Sequence, residues 1–585
     1  MNTWEDVRAF ATHMESARTP REREWHELSR WVCPYRGVFS NEDLAPRGTR
    51  RNPKAFIVPV TQALLRGASG ITSGMTPRNI SWFEPEFDDP GMAEASGARV
   101  WLDEVDRRMK NVLADGGFYQ AIQAFNTDLL WAGCALLYGE MSPVSVLRFE
   151  CVQVGTFCVQ LDEDGRLDAV VRTMSWTPAR MARHFGKSAL SEGTRQKLEK
   201  QPYDPIRVTH CVRRRDLRDP GRLDRKHMPW ESFFWEEGGE DFLHEGGFNE
   251  MPYFFATWHE GQTPYGTGPG DEALPDSRQM DRLEHDKLEA LAKLIRPPVQ
   301  FPQFMKSRMN LEPGGMTPVP EHVSITPIFD LGPVAHSVSA MQQEILNVGQ
   351  RLEKSLMAAI FASMPLDQRP RDMSATEFLE RKREALQQLG PVISAYEPNV
   401  LTPLLERVAA TLDRAALLPP PPPALQGYPL LMKMDFVSPL ANALRQTGAE
   451  TTRALLQDAS VLAQMRPEVL DKLDLDQAVD ELATGLGVPG SLIRADAEVA
   501  QIRQQRAEQQ AALQQQALLA QQAQTAATAA RGMNDALTVA TRLPVATRLP
   551  VATEEATGIV RRAEEATGIV RRAEETTGSD SSFVG

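Results

Sequence analysis

Nowhere in the 585 residues is there a run of about 18 consecutive apolar side chains, the minimum for a membrane-spanning helix. The N-terminus, MNTWEDVRAF, lacks the basic region and apolar run of a secretory signal. Both absences predict a protein made and kept in a cytoplasm, with no membrane partner. Cysteine is scarce as well: Cys33, Cys134, Cys151, Cys158 and Cys211 are too few for a disulfide scaffold, and their spacings match no zinc pattern. Cys151 and Cys158 flank VQVGTF, which reads as a strand with both thiols buried, so no metal site is expected. Positive charge is in deficit, with a net charge of −14 and a pI near 5.4. Tight DNA binding usually needs a basic face, because neutralising phosphates supplies most of the affinity. This balance excludes a clamp.

The usual catalytic signatures are also missing. No GxxxxGK[ST] loop is present, which argues against a nucleotide-driven motor. HExxH and GxSxG do not occur; His26-Glu27, His244-Glu245 and His259-Glu260 each lack a second histidine. GTGPG at 266–270 precedes a helix in the manner of a phosphate cradle, but Asp271, Glu272 and Asp276 follow, and carboxylates there satisfy the positive helix end and repel an anion. Asp162, Glu163 and Asp164 read as a solvated hairpin turn rather than a metal site. No catalytic residue, cofactor or metal is expected.

What remains is 42% hydrophobic and 24% charged, ordinary for a folded protein, and too long for one core. Apolar spacing predicts helices over 3–33, 53–74, 97–114 and 117–132, with strands beginning near Ala135 and a β-rich stretch from 143 to 260 in which DEDG (162–165) turns a hairpin. The pattern then changes. A helix over 272–296 carries Met280, Leu283, Leu288, Leu291 and Ile295 on one face; a Pro-rich β-and-turn insert follows. A second long helix over 335–361 carries Met341, Ile345, Val348, Leu352, Leu356 and Ala359. At 1.5 Å per residue each helix is about 37–40 Å long, and the two bracket the insert as a hairpin-like projection. Helices resume over 375–389 and 399–417, five prolines at 419–423 make a stiff spacer, and 440–530 is helical with a Gln/Ala-rich end that needs partners. TRLPVA and EEATGIVRRA each recur in tandem near the C-terminus, a pattern expected to be flexible.

Six segments together resemble the head-to-tail connecting (portal) proteins of podoviruses: REREWHELSRWVCPYRG (21–37), APRGTRRNPKAF (45–56), ASGITSGMTPRNISWF (68–83), TPYGTGPGDEALPDSRQMDRLEHDKLEALAK (263–293), SATEFLERKREALQQLGPVISAYEPNVLTPLLERV (374–408) and MDFVSPLANALR (434–445). The resemblance weakens toward 510 and leaves out the repeats. It implies an α+β, mainly α fold and a ring of twelve copies at one capsid vertex, through which double-stranded DNA passes without sequence-specific binding. Its parts would be a wing (1–271), stem helices (272–296 and 335–361), a clip (297–330), a channel loop (362–374), wing return helices (375–434), a crown (435–531) and a repetitive tail (532–585). Implied partners are the terminase, then a tail adaptor and tail proteins, with the major capsid and scaffolding proteins around the ring. The implied location is the portal vertex of the virion.

The physics of a conduit then selects candidate residues. DNA carries a negative charge every ~1.7 Å of its axis, so a basic lining would hold it, whereas a mixed or acidic one lets it slide. Asp276, Asp281, Glu284, Asp286 and Glu289 on the first long helix are candidates to face the channel; the alternative is a solvated or inter-subunit salt-bridged helix face. Arg369 and Arg371 are candidates for phosphate contact, against a loop that merely meets solvent. The basic loop of Arg47, Arg50, Arg51 and Lys54 could join subunits or touch DNA or capsid. Two other functions stay open at this stage: a tail or scaffold ring that conducts nothing, and a packaging enzyme, which the missing nucleotide motifs oppose.

Overall fold

Along the first helix, α1 (Trp4–Trp31), the buried residues Val7, Ala11, Met14, Arg21, Trp25 and Leu28 recur every three to seven positions and so line one face. The computed structural model describes residues 4–39, 56–89, 92, 97–300 (apart from 217, 220 and 223), 322, 326–327, 331–362, 390, 395–425, 432–438, 455–456, 459, 477–479 and 496–540. The start of the α1 stripe, Val7, Ala11 and Met14, packs with Cys158, Val171, Cys211, Phe233 and Trp235. Its later part, Trp25 and Leu28, enters the main core beside α2 (Val58–Met75), α3 (Ala98–Asp115) and α4 (Phe118–Ala132). The four helices agree with the spacing read from the sequence.

The β-rich region is antiparallel throughout. β2 (Cys134–Ser142) lies between β3 (Val146–Val152) and β9 (Tyr253–Thr257). A meander of five follows in sequence order: β4 (Phe157–Leu161), β5 (Leu167–Trp176), β6 (Ile206–Arg214), β7 (Trp230–Glu236) and β8 (His244–Phe248). Both faces of the meander are largely buried because both are covered. Cys158, Val171, Cys211 and Phe233 meet α1, while Val170 and Val212 turn toward the main core on the other face. Two short helices, α5 (Pro178–Phe185) and α6 (Glu192–Lys200), cap that second face, with Met181 and Leu190 against Trp176, Val208 and Phe234. The DEDG turn is as expected: Asp162 Oδ1 accepts from the N–H groups of Asp164 (3.0 Å) and Arg166 (2.7 Å). VQVGTF corrects the sequence reading. Only its ends are strand; residues 153–156 form the β3–β4 turn, which Gly155 makes at φ +93. Cys151 is accordingly half-buried rather than buried. Burial pushes the thiols of Cys33 and Cys211 up to about 12 and that of Cys158 up to about 11, so none of these three is a thiolate at neutral pH.

His210 of β6 is buried between the two sheets. Its ring stacks on Phe234 at 3.9 Å, Nδ1 meets the Tyr253 hydroxyl (2.8 Å) and Nε2 meets Ser232 Oγ (3.0 Å). Desolvation first, then Arg172, His244 and His184, hold its pKa well below the usual histidine value. A depressed pKa means the unfolded chain takes up the proton more readily, so His210 contributes stability above about pH 6.5 that is lost as pH falls. Unfolding free energy should therefore drop by up to about 1.4 kcal/mol per pH unit below that point. Denaturant titrations at pH 7 and pH 5 will measure it; an unchanged slope in His210→Gln would sink the assignment.

The chain folds back on itself through β1 (Glu84–Phe87) and β12 (Met432–Asp435), paired antiparallel although far apart in sequence. Between them the proline run lies on α3: Trp101 Nε1 donates to the Pro419 carbonyl at 2.9 Å, and Trp101 stacks on Phe87. The expected spacer is thus docked against the fold. Met434 and Phe436 are buried in the main core, so β12 runs across the 434/435 boundary drawn from sequence.

A buried ion pair ties the end of α1 to the core. Arg36 in the CPYRG segment donates twice to Asp128 of α4, at 2.5 and 2.6 Å; Trp131 Nε1 (2.8 Å) and Cys151 Sγ (3.3 Å) also donate to that carboxylate. Asp128 has no solvent exposure.

The chain divides into two compact units, residues 1–493 and 494–585. The second contains a helix, Asp496–Ala540, about 68 Å long at 1.5 Å per residue. Its described side chains are almost all exposed, including Leu513, Leu518 and Leu519.

Candidate functional site

Two long helices leave the main core side by side: α7 (Pro269–Ile295) and α8 (Leu331–Ser355). Both begin before the 272 and 335 expected from sequence, because Pro269 and Pro333 sit in first turns, where a missing N–H costs nothing. GTGPG serves close packing at this point. A Cβ on Gly270 would lie 2.1 Å from the Trp131 carbonyl oxygen, and one on Gly268 2.6 Å from Gly133 Cα, so the glycines let α7 start against the end of α4. The N-terminus of α7 is already occupied. Asp271 Oδ2 accepts from the Gly268 N–H (2.8 Å), and Arg21 donates to both Asp271 oxygens at 3.0 and 2.7 Å. Further along, Ser277 Oγ donates to the Trp31 carbonyl (2.5 Å) and Arg278 pairs with Glu27, fastening α7 to α1.

Between α7 and α8, Arg351 donates to Asp276 at 3.0 and 3.2 Å, and Gln279 to Glu344 at 3.3 Å. Met280, Val348, Leu352 and Leu356 are buried at the base. Burial then fades. Leu283, Leu291, Met341 and Ile345 are half-buried, whereas Leu288, Leu346 and Ile295 are 46%, 58% and 75% exposed. Most of the apolar face predicted from spacing exists, and among the described residues only its lower part is fully buried. Past Ile295, β10 (Val299–Gln300) pairs with β11 (Thr326–Pro327), the described part of the insert.

The second helix is not continuous to 361 as expected. It breaks at Met357, which adopts φ +62, and resumes as α9 (Ala358–Ala362). The break sits on α2: the Leu356 carbonyl oxygen lies 2.2 Å from where a Gly67 Cβ would be, an approach that only glycine permits. A turn of π-helix (Glu397–Leu401) and α10 (Thr402–Arg414) complete this side of the core, as the expected 399–417 helix.

Each of the five acidic candidates has a partner within the chain. Asp276 is held by Arg351 and Asp281 accepts from the Phe56 N–H (2.8 Å). Glu284 pairs with Lys287 (2.5 Å), Asp286 faces Arg282 (3.9 Å) and Glu289 pairs with Lys293 (2.7 Å). The Lys293 hydrogen bond lowers the Glu289 pKa. Only Asp286 and Glu289 are exposed, sharing an outer face with Arg282, His285 and Lys293. Arg369 and Arg371, and the basic set Arg47, Arg50, Arg51 and Lys54, lie outside the described residues, as do the tandem repeats and the expected 375–389 helix. Among the described residues, no helix is long and apolar enough to cross a membrane. Sequence reasoning missed the fastening of α7 to α1. Its signal was available in Arg21, which interrupts an otherwise apolar stripe and pairs with Asp271.

Residues 5–493 match the family model described as bacteriophage head to tail connecting protein. The chain belongs to that family. The "Probable portal protein" of Bordetella phage BPP-1 is 32% identical over 503 residues, 85% of this chain and 90% of its own length. The "Portal protein" of Salmonella phage epsilon15 is 29% identical over 508 residues, again 85% and 90%. A chain of the solved structure "Neck of empty GTA particle computed with C6 symmetry" is 12% identical, covers 66% of this chain and 85% of its own, and has a TM-score of 0.29, too distant to bear on the fold. Membership accounts for the six resembling segments, all of which fall inside the matched span, and gives this connecting protein a structural role. The match ends just before the Gln-rich helix and the repeats, which stand apart from the family region.

Proposed function

We propose that this connecting protein is the portal subunit of a short-tailed phage, forming a twelve-membered ring at one capsid vertex through which double-stranded DNA enters and leaves. The observation that carries the reading is the α7–α8 pair: anchored by Arg21–Asp271 at its base, it carries outer apolar residues, Leu288, Ile295 and Leu346, that stay exposed among the described residues. A closed ring of head-to-tail interfaces covers such surfaces without leaving an open end. In this reading α7 and α8 are the stem, the 297–330 insert the clip, and the 362–374 segment the channel loop. Residues 1–271 and 375–434 form the wing, and 435–531 the crown. The terminase docks first and tail proteins follow, with capsid and scaffolding proteins around the wing.

The alternating charges of the exposed α7 face, Arg282, Asp286, Glu289 and Lys293, suit passage: no run of cations is present to hold phosphates, and the paired acids keep the backbone from settling. Electron microscopy of the purified chain, viewed down its axis, should find annular particles of twelve copies with an open centre. A monomer, or a ring without a through-channel, would remove the proposal. Arg369 and Arg371 are assigned to the channel loop as phosphate contacts. Changing both to alanine should lower the DNA retained per particle while leaving rings intact; unchanged DNA content would remove that assignment.

A further inference from the structure

We propose that a cleft beside β5 binds an acidic peptide in extended conformation, adding it as a strand to the free edge at Met174–Trp176. The cleft has a volume of about 240 Å³ and opens between the three-stranded sheet, the meander and α5. Two independent features define what fits it.

The first is backbone. Thr173 N–H donates to the Thr156 carbonyl at 2.7 Å, which fixes the direction of every second residue of β5 toward the β4 side. The β4 ladder stops at Phe157 opposite Arg172, whereas β6 continues to pair through Ile206 opposite Trp176. The N–H and C=O of Ser175 therefore point into the cleft past the end of β4. An exposed strand edge of this kind is a template for an added strand.

The second is charge. Arg148, Arg172 and Arg180 line the cleft with Glu140 and Glu150. Arg172 is buried on the floor, bonded to Glu150 (2.8 Å) and lying over the Tyr138 ring. Arg180 lies flat on Trp176 at 4.2 Å and, like Arg148, forms no ion pair among the described residues. These two arginines flank the free edge on a chain whose net charge is −14. Carboxylates placed along a strand can reach them while the peptide backbone pairs with Ser175. A nucleic acid fits less well, because its sugar–phosphate backbone has no alternating N–H and C=O groups with which to extend a strand edge as a peptide does.

Fluorescence anisotropy on the full chain tests this, with a labelled hexapeptide of alternating glutamate and valine as probe and its lysine–valine counterpart as control. The glutamate peptide should bind and the lysine peptide should not. Arg148→Ala with Arg180→Ala should weaken binding about tenfold or more. Both arginines are exposed, so this variant keeps the fold. Ser175→Pro, which removes the N–H, should weaken binding similarly at an unchanged melting temperature. Equal affinity for both peptides, unchanged affinity in the arginine variant, or displacement of the peptide by a single-stranded oligonucleotide would overturn the proposal.

Discussion

Asp128→Ala should lower the unfolding free energy by about 3–5 kcal/mol, the cost of removing one partner from a buried ion pair. Asp128 is fully enclosed and receives two bonds from Arg36, one from the Trp131 indole and one from Cys151. Alanine leaves the guanidinium and the indole N–H without their acceptor, and water has little access to replace it. Arg36 retains 22% exposure at its side chain, so the loss should fall toward the lower end of that range. Denaturant midpoints will give the value. A loss below about 1 kcal/mol would mean that solvent reaches Arg36 and that the pair does not hold CPYRG to α4. Asp128→Asn should recover part of the loss, since an amide oxygen still accepts from Trp131.

Leu288→Asp combined with Ile295→Asp should abolish annular particles and leave a folded monomer. Both side chains are exposed in the single chain, so the change costs the subunit little, and its melting temperature should hold. In a closed ring the same face recurs at every junction, so one double substitution weakens all of them at once. Each junction loses buried apolar area and gains desolvated carboxylates, together on the order of several kcal/mol, a factor of a hundred or more in each association step. Sedimentation velocity with electron microscopy separates the outcomes. Rings of normal size and yield would mean that the outer part of α7 is not an interface, and the stem assignment would fall with it.

The agreement between sequence and structure follows the physical range of the signals. α1 to α4 were legible because each buries a stripe at helical spacing, and the DEDG hairpin because Asp162 and Gly165 supply a local turn. The paired helices were legible for the same reason, with their starts misplaced by a few residues because prolines 269 and 333 fall in first turns ahead of the apolar stripes. VQVGTF misled because its residues favour strands, while one left-handed glycine, Gly155, sets the turn. The break at Met357 carried no local mark at all; the adjoining Leu356 carbonyl packs on Gly67, nearly 300 positions earlier. α5 and α6 were overlooked inside a β-rich stretch, although Thr177-Pro178 and Ser191 are ordinary helix starts, each hydroxyl accepting from an N–H three residues on.

The candidate site divides in the same way. By itself the sequence determined the helical rods, their apolar faces, the acidic balance and the absence of nucleotide motifs, since composition and periodicity act over a few residues. It could not rank the five acids of α7. Only the folded chain separates Asp276 and Asp281, held by Arg351 and the Phe56 amide, from Asp286 and Glu289, which face solvent. Pairing of charges and meeting of strand edges are decided by distance in space, and residues far apart along the chain acquire that distance only when the core forms.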